Sequence, residues 1–125
     1  MGTINFEDFK KLEIRIGKIV AVEKIESSNK LLKLQVDFGP QRGTTQNLTQ
    51  NNAEKREVRQ ILAGIAKFYT PEQLMGKLCP FAFNLAPKLM GDIESQGMML
   101  CADGGEGGPM LLHPDKDITP GSVIK

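Results

Sequence analysis

Residues 57–84 read EVRQILAGIAKFYTPEQLMGKLCPFAFN. Glu57 to Leu62 has the make-up of a strand, and so has Lys77 to Asn84. Between them lies the start signal of a helix: Thr70 at the N-cap, Pro71 at the first helical position and Gln73 two residues on. A hydroxyl, a ring with φ already set and an amide in that order suit a first turn whose N–H groups lack partners. Gly76 ends the turn. A short helix set between two strands decides among small β architectures, provided that enough strands flank it.

Upstream there are two. Leu12, Ile14, Ile16, Lys18, Val20 and Val22 alternate with Glu13, Arg15, Gly17, Ile19, Ala21 and Glu23, which predicts one long strand from Leu12 to Lys24. Gly17 is expected to mark a bend or bulge. Ser27-Ser28-Asn29 reads as a turn. Lys30 to Gly39 reads as a second strand, with Leu32, Leu34, Val36 and Phe38 on one face and Lys33, Gln35 and Asp37 on the other. Pro40 to Lys55, rich in Gln, Asn and Thr, holds a single sizeable apolar residue, Leu48, and is expected to be an exposed loop. Its Asn47-Leu48-Thr49 sequon reads as coincidence.

Downstream, Glu94 to Ala102 predicts a fifth strand, interrupted at Gly97. Gly104 to Gly108 predicts a hairpin loop, and Met110 to His113 a further short strand. Thr119-Pro120-Gly121 reads as a last turn before Ser122-Val123-Ile124. At the other end, Asn5 is placed to cap one amphipathic helical turn carrying Phe6 and Phe9. The expected fold is all-β: an OB-fold, a five-stranded Greek-key barrel with a short helix between strands 3 and 4, plus N- and C-terminal extensions. An SH3-like barrel is the nearest competitor, and the helix between strands argues against it. The expected organisation is one domain over 1–125, with a core of about 6–103 and a C-terminal extension at 104–125.

Composition narrows the function. The chain has 125 residues, 40% hydrophobic and 25% charged, as in ordinary globular proteins. No stretch approaches the roughly 20 apolar residues that span a bilayer, and the first residues lack the apolar run of a secretion signal. The expectation is a cytoplasmic protein with no membrane partner. Net charge is only +1, but it is unevenly spread. Residues 1–90 hold fourteen basic and nine acidic residues, and residues 91–125 hold two and six. A near-neutral chain so divided can carry a basic face that suits a polyanion.

Catalytic chemistry finds little support. Two cysteines, Cys79 and Cys101, sit in apolar surroundings, and the single histidine, His113, precedes a proline. No C-x-x-C pair, nucleophile elbow or phosphate-loop lysine is present. The expectation is a binding module with no cofactor and no metal. The segment best suited to a ligand is 84–98. Asn84 both donates and accepts, Pro87 stiffens the connection and Lys88 offers a cation to phosphate. Ser95 and Gln96 add short polar groups, and Gly97 allows close approach to the backbone. On the residues alone, Asn84 and Ser95 could equally be capping backbone groups.

These residues carry a resemblance. Asn84-Leu85-Ala86-Pro87 followed by Glu94-Ser95-Gln96-Gly97-Met98 resembles the signature of the structure-specific tRNA-binding domain family. Further blocks agree: Ile14-Arg15-Ile16-Gly17-Lys18-Ile19, Lys30-Leu31-Leu32-Lys33-Leu34 and Tyr69-Thr70-Pro71-Glu72-Gln73-Leu74. The likeness runs from about Phe6 to Ile124. Such domains occur alone as dimeric tRNA-binding proteins, and as beta subunits or C-terminal domains of methionyl-tRNA synthetases. The resemblance implies an OB-fold that recognises the tRNA elbow by shape without catalysis. The chain is then expected to be a stand-alone homodimer, acting alone or as an accessory to a methionyl-tRNA synthetase. By position, Lys30, Lys33, Asn84, Lys88, Ser95, Gln96 and Met98 are the implied contacts. Two features depart from the pattern: a longer polar stretch after Gly39, and an Asn-Leu-x-Pro loop with a single lysine. The alternative is a chaperone-like, peptide-binding protein of the secretion-associated type built on the same fold.

Overall fold

The long alternating stretch near the N-terminus forms strand β1 (Ile14–Lys24), which turns back into β2 (Leu32–Pro40) as an antiparallel hairpin. These coordinates are a computed structural model that describes residues 2–40 and 55–125; most of the polar stretch after Pro40, with its sequon, lies outside the described residues. The alternation in β2 is that of a half-buried strand, and Leu32, Leu34, Val36 and Phe38 all lie in the core.

The bulge in β1 is not at Gly17. The pairing with β2 slips between Ile19 and Ala21, so Val20 is the extra residue. Before it the odd positions Arg15, Gly17 and Ile19 are buried; after it Val22 packs on the core, because one inserted residue inverts the side-chain alternation. Gly17 keeps its register, opposite Cys79. A Cβ there would fall on the side chains of Val36 and Phe38, so the missing side chain makes room for the Phe38 ring.

Strand β3 (Arg56–Ala63) pairs with β2. Next comes the single-turn helix α2 (Pro71–Leu74), α1 being the N-terminal turn Phe6–Phe9 capped by Asn5. Both halves of the predicted capping box form: the Gln73 N–H donates to Thr70 Oγ1 (3.3 Å) and the Thr70 N–H to Gln73 Oε1 (2.8 Å). Leu74 anchors the turn in the core, and the Gly76 N–H donates to the Ile19 carbonyl beside the bulge (2.8 Å). Strand β4 (Leu78–Ala82) then pairs with β1 on the side away from β2.

The predicted fifth strand divides into three, each with its own partner. β5 (Lys88–Met90) and β6 (Ile93–Ser95) form a small hairpin, turned at Gly91 with φ +68°. β7 (Met98–Met99) pairs with β4, and β8 (Cys101–Asp103) with β9 (Pro109–Leu111) across the glycine-rich loop. Strands of two or three residues are too short to print a period, which is why β5 reads as loop in the sequence. The main sheet runs β3-β2-β1-β4-β7. Its outer strands β3 and β7 meet as the sheet curls into an OB-like barrel.

The C-terminal stretch is tied into this barrel. β10 (Val123–Ile124) pairs with Arg15 and Ile14, beside the end of β1 that β2 does not reach. The Gly121 N–H donates to the Ile16 carbonyl (2.7 Å) and the Ile16 N–H to the Ser122 carbonyl (2.8 Å).

Candidate nucleic-acid interface

Three segments meet at one end of the barrel: the turn after β1, the turn after β3 and strand β5. Backbone bonds fix the first two. Ser28 Oγ accepts from the N–H groups of Lys30 (3.1 Å) and Leu31 (3.3 Å), and the Ala66 N–H donates to the Lys30 carbonyl (3.0 Å). The Tyr69 hydroxyl donates to the Pro109 carbonyl (2.9 Å), docking the second turn on β9. Between them lies an open groove rimmed by Lys30, Lys67 and Lys88 and lined by Leu31, Phe68 and Met90. All three lysines are exposed. Three ammonium groups on flexible stems give the groove a cationic rim.

The residues nominated from sequence separate into two groups. Lys30 and Lys88 come together in this groove, from segments 58 positions apart in the chain. Lys33 does not join them: it lies across the β1–β2 ladder from Glu23, with Nζ 3.0 Å from that carboxylate. Met98 is half-exposed on β7, paired with Ala82.

Asn84, Ser95 and Gln96 are committed to the chain itself. Asn84 Oδ1 accepts from the Glu13 N–H (2.7 Å) and Nδ2 donates to the Lys11 carbonyl (2.7 Å), which fastens the N-terminal segment to the barrel. Ser95 is 2% exposed; its Oγ accepts from the Leu62 N–H and donates to the Gly97 carbonyl, both at 3.0 Å. Gln96 Oε1 accepts from the Gln60 N–H (2.9 Å), while its own N–H donates to the Gln60 carbonyl (2.8 Å). Ser95 and Gln96 thus bridge β3 to the segment before β7 where no strand ladder does so. Gly97 is small for the same reason: a Cβ would crowd the Ala82 carbonyl and the Ile61 side chain. The close approach it permits is by the chain's own backbone. Gln96 and Asn84 still border a second open hollow beside Arg59 and Pro87.

Lys67 carries no sequence signal of its own, since it lies in a turn without a period. The turn that carries it is brought to the groove by bonds to distant segments, from Ala66 to Lys30 and from Tyr69 to Pro109. The two arginines closest to the barrel interior are otherwise engaged. Arg15 and Arg59 stack on the Phe83 ring, their guanidinium carbons 4.8 and 3.6 Å from its centroid. Arg15 is 5% exposed, pairs with Glu13 and donates to the Gly121 carbonyl (2.9 Å). Arg59 pairs with Glu57 (2.9 Å) and donates to the Phe83 carbonyl.

The cysteines lack the setting of a nucleophile. Burial, with a smaller contribution from Cys101, pushes the Cys79 thiol up to about 12, and burial also raises Cys101. His113 Nδ1 lies 2.8 Å from the Leu78 carbonyl, so it must donate there, and it is 3.8 Å from Cys79 Sγ. A ring nitrogen that already carries its proton cannot take one from the thiol.

Comparison with known proteins places the chain in a family. Residues 14–123 match a family model described as "Putative tRNA binding domain". The whole chain is similar to part of the methionine–tRNA ligase of Methanosarcina mazei, at 42% identity, and to that of Pyrococcus horikoshii, at 38%. It spans about 15% of the length of each of these relatives. Among solved structures it is similar to a MetRS-related protein from Pyrococcus horikoshii, with a TM-score of 0.80, 32% identity and full coverage of both chains. The chaperone CsaA from Bacillus anthracis also has a TM-score of 0.80, at 29% identity over 99% of this chain and all of that one.

Proposed function

This chain belongs to the tRNA-binding domain family, and from that membership we propose that it binds tRNA at the elbow through the groove of Lys30, Lys67 and Lys88. The observation that carries the reading is the meeting of three exposed lysines from three separate segments around one groove. The matched domain takes up residues 14–123 and is described by what it binds. The ligases that share the sequence support a role at a methionyl-tRNA synthetase, as a beta subunit or as an accessory acting in trans; a cytoplasmic location goes with that reading. Among the described residues no helix is long and apolar enough to cross a membrane.

Titration of tRNA at rising salt tests this. Each lysine that neutralises a phosphate adds about −0.9 to the slope of log affinity against log salt. Lys67→Ala and Lys88→Ala should each weaken binding and take about one unit off that slope. An affinity for tRNA independent of salt, or two variants that match the parent, would overturn the assignment of the groove.

The homodimer belongs to the same proposal. Ile4, Phe6 and Phe9 on the N-terminal turn, with Leu112, Ile118, Val123 and Ile124 near the C-terminus, are exposed apolar residues outside the barrel core. A second copy covering both terminal segments is the occupant that this surface fits. Sedimentation checks it: a monomer at micromolar concentration would rule it out. The likeness to CsaA favours a second reading, in which the protein holds unfolded peptides. A gel shift with total tRNA and an unfolded-peptide competitor separates the two, since only the second reading predicts that peptide displaces the RNA.

A further inference from the structure

The lysine groove is not a purely polar surface. Phe68 lines it and is 48% exposed, and Leu31 and Met90 give it a mainly apolar floor. A surface built only to hold the sugar–phosphate backbone of a duplex needs charge and hydrogen-bond donors, and gains nothing from an open aromatic ring. The ring is also held in place. A Cβ on Gly108 would fall on the Phe68 ring, so the ring lies directly against the backbone of the glycine-rich loop. Gly108 has φ +79° and ψ −169°, a conformation that is essentially restricted to glycine. The Phe68 N–H donates to the Ile65 carbonyl and the next residue, Tyr69, is anchored on Pro109, so the backbone that carries the ring is held as well.

An aromatic ring fixed on one side, open on the other and rimmed by three cations matches the two parts of a nucleotide. We propose that the groove seats an unpaired nucleobase of the RNA against Phe68, with the flanking phosphates on Lys30, Lys67 and Lys88. Every base has a π-face, so stacking adds affinity without reading sequence. It also lets the protein select folded RNA that displays an unstacked base or the open end of a base stack, and disfavour plain duplex. This inference rests on the assignment of tRNA to the groove and adds what part of the RNA enters it.

The test compares the parent with Phe68→Leu, which keeps apolar bulk without a π-face, and Phe68→Trp, which restores one. The probes are tRNA, a blunt RNA duplex, and a short single-stranded RNA with 2-aminopurine at its centre. The expected results for Phe68→Leu are a loss of tRNA affinity of about fivefold or more, an unchanged salt slope, and unchanged duplex binding. Binding should quench the 2-aminopurine in the parent and in Phe68→Trp but not in Phe68→Leu. Parent-like tRNA affinity in Phe68→Leu would overturn the inference. So would equal loss in both variants, because the shape of the side chain and not its π-face would then be what matters. Displacement of the single-stranded RNA by an acidic peptide of equal charge would overturn it too. Failure of the parent to bind tRNA at any salt is a different result, which removes the proposed function itself.

Discussion

Asn84, Ser95 and Gln96 show how a residue type that suits a ligand can serve the chain. Each was nominated for its hydrogen-bonding side chain, and each uses that side chain on backbone groups of distant segments. Ser95→Ala leaves the buried Leu62 N–H without its acceptor, and should cost about 1–3 kcal/mol in denaturant unfolding while the folded protein keeps its tRNA affinity. Asn84→Ala loses two bonds to the N-terminal segment and should cost about 1–3 kcal/mol, at about 0.5–1.5 for each bond. Cys79 makes a prediction about pH. A thiol whose pKa is raised on folding keeps its proton in the native state when the unfolded chain has already lost it. Its contribution to stability is therefore complete below about 9 and falls as pH rises from there toward about 12. Unfolding curves at pH 8 and pH 11 should show a loss in the parent that Cys79→Ala reduces, although the variant starts lower because of the cavity it leaves. Nothing in a linear sequence separates a buried serine from an exposed one, since the difference lies in what folds over it.

At the scale of elements, legibility followed length. β1 and β2 are long enough for their alternation to be seen, and α2 is marked by chemistry specific to its first turn. Thr70→Ala removes half of that capping box and should lower stability by about 1 kcal/mol by thermal unfolding. The stretch 88–103 reads in the sequence as loop plus one strand because its pieces are two or three residues long and each pairs differently. The position of the β1 bulge is hidden in the sequence for a related reason. Glycine marks a bulge through its freedom of φ, whereas Gly17 is required for space, and Val20 carries no mark of being the extra residue. The glycine-rich loop was legible as a hairpin turn but not as a support for Phe68. Gly108→Ala should cost on the order of 1–3 kcal/mol from its backbone conformation alone. It should also weaken tRNA binding by displacing the ring, measured by titration of the folded variant.

Across the whole molecule the two termini are held unequally. α1 has no buried residue, and the segment that follows it is fastened to the barrel through Asn84. The C-terminal stretch adds strand β10 and supplies the Gly121 carbonyl that the buried Arg15 guanidinium needs. Removing residues 119–125 should therefore lower the melting temperature much more than removing residues 2–9. Loss of strand β10 and of one acceptor of a buried cation is costly, whereas loss of a solvated turn costs little. The sequence alone determined the all-β class, the order of the first four strands, the helix between the third and fourth, and the family. These are written in local periodicity, in turn chemistry and in the spacing of short blocks, and none of them requires knowledge of distant contacts. Only the tertiary structure decided which lysines share a groove, which polar side chains close the barrel and which phenylalanine lines that groove. Those outcomes depend on where residues dozens of positions apart meet once the sheet curls, and a strand's pattern records which face is buried without recording its neighbours.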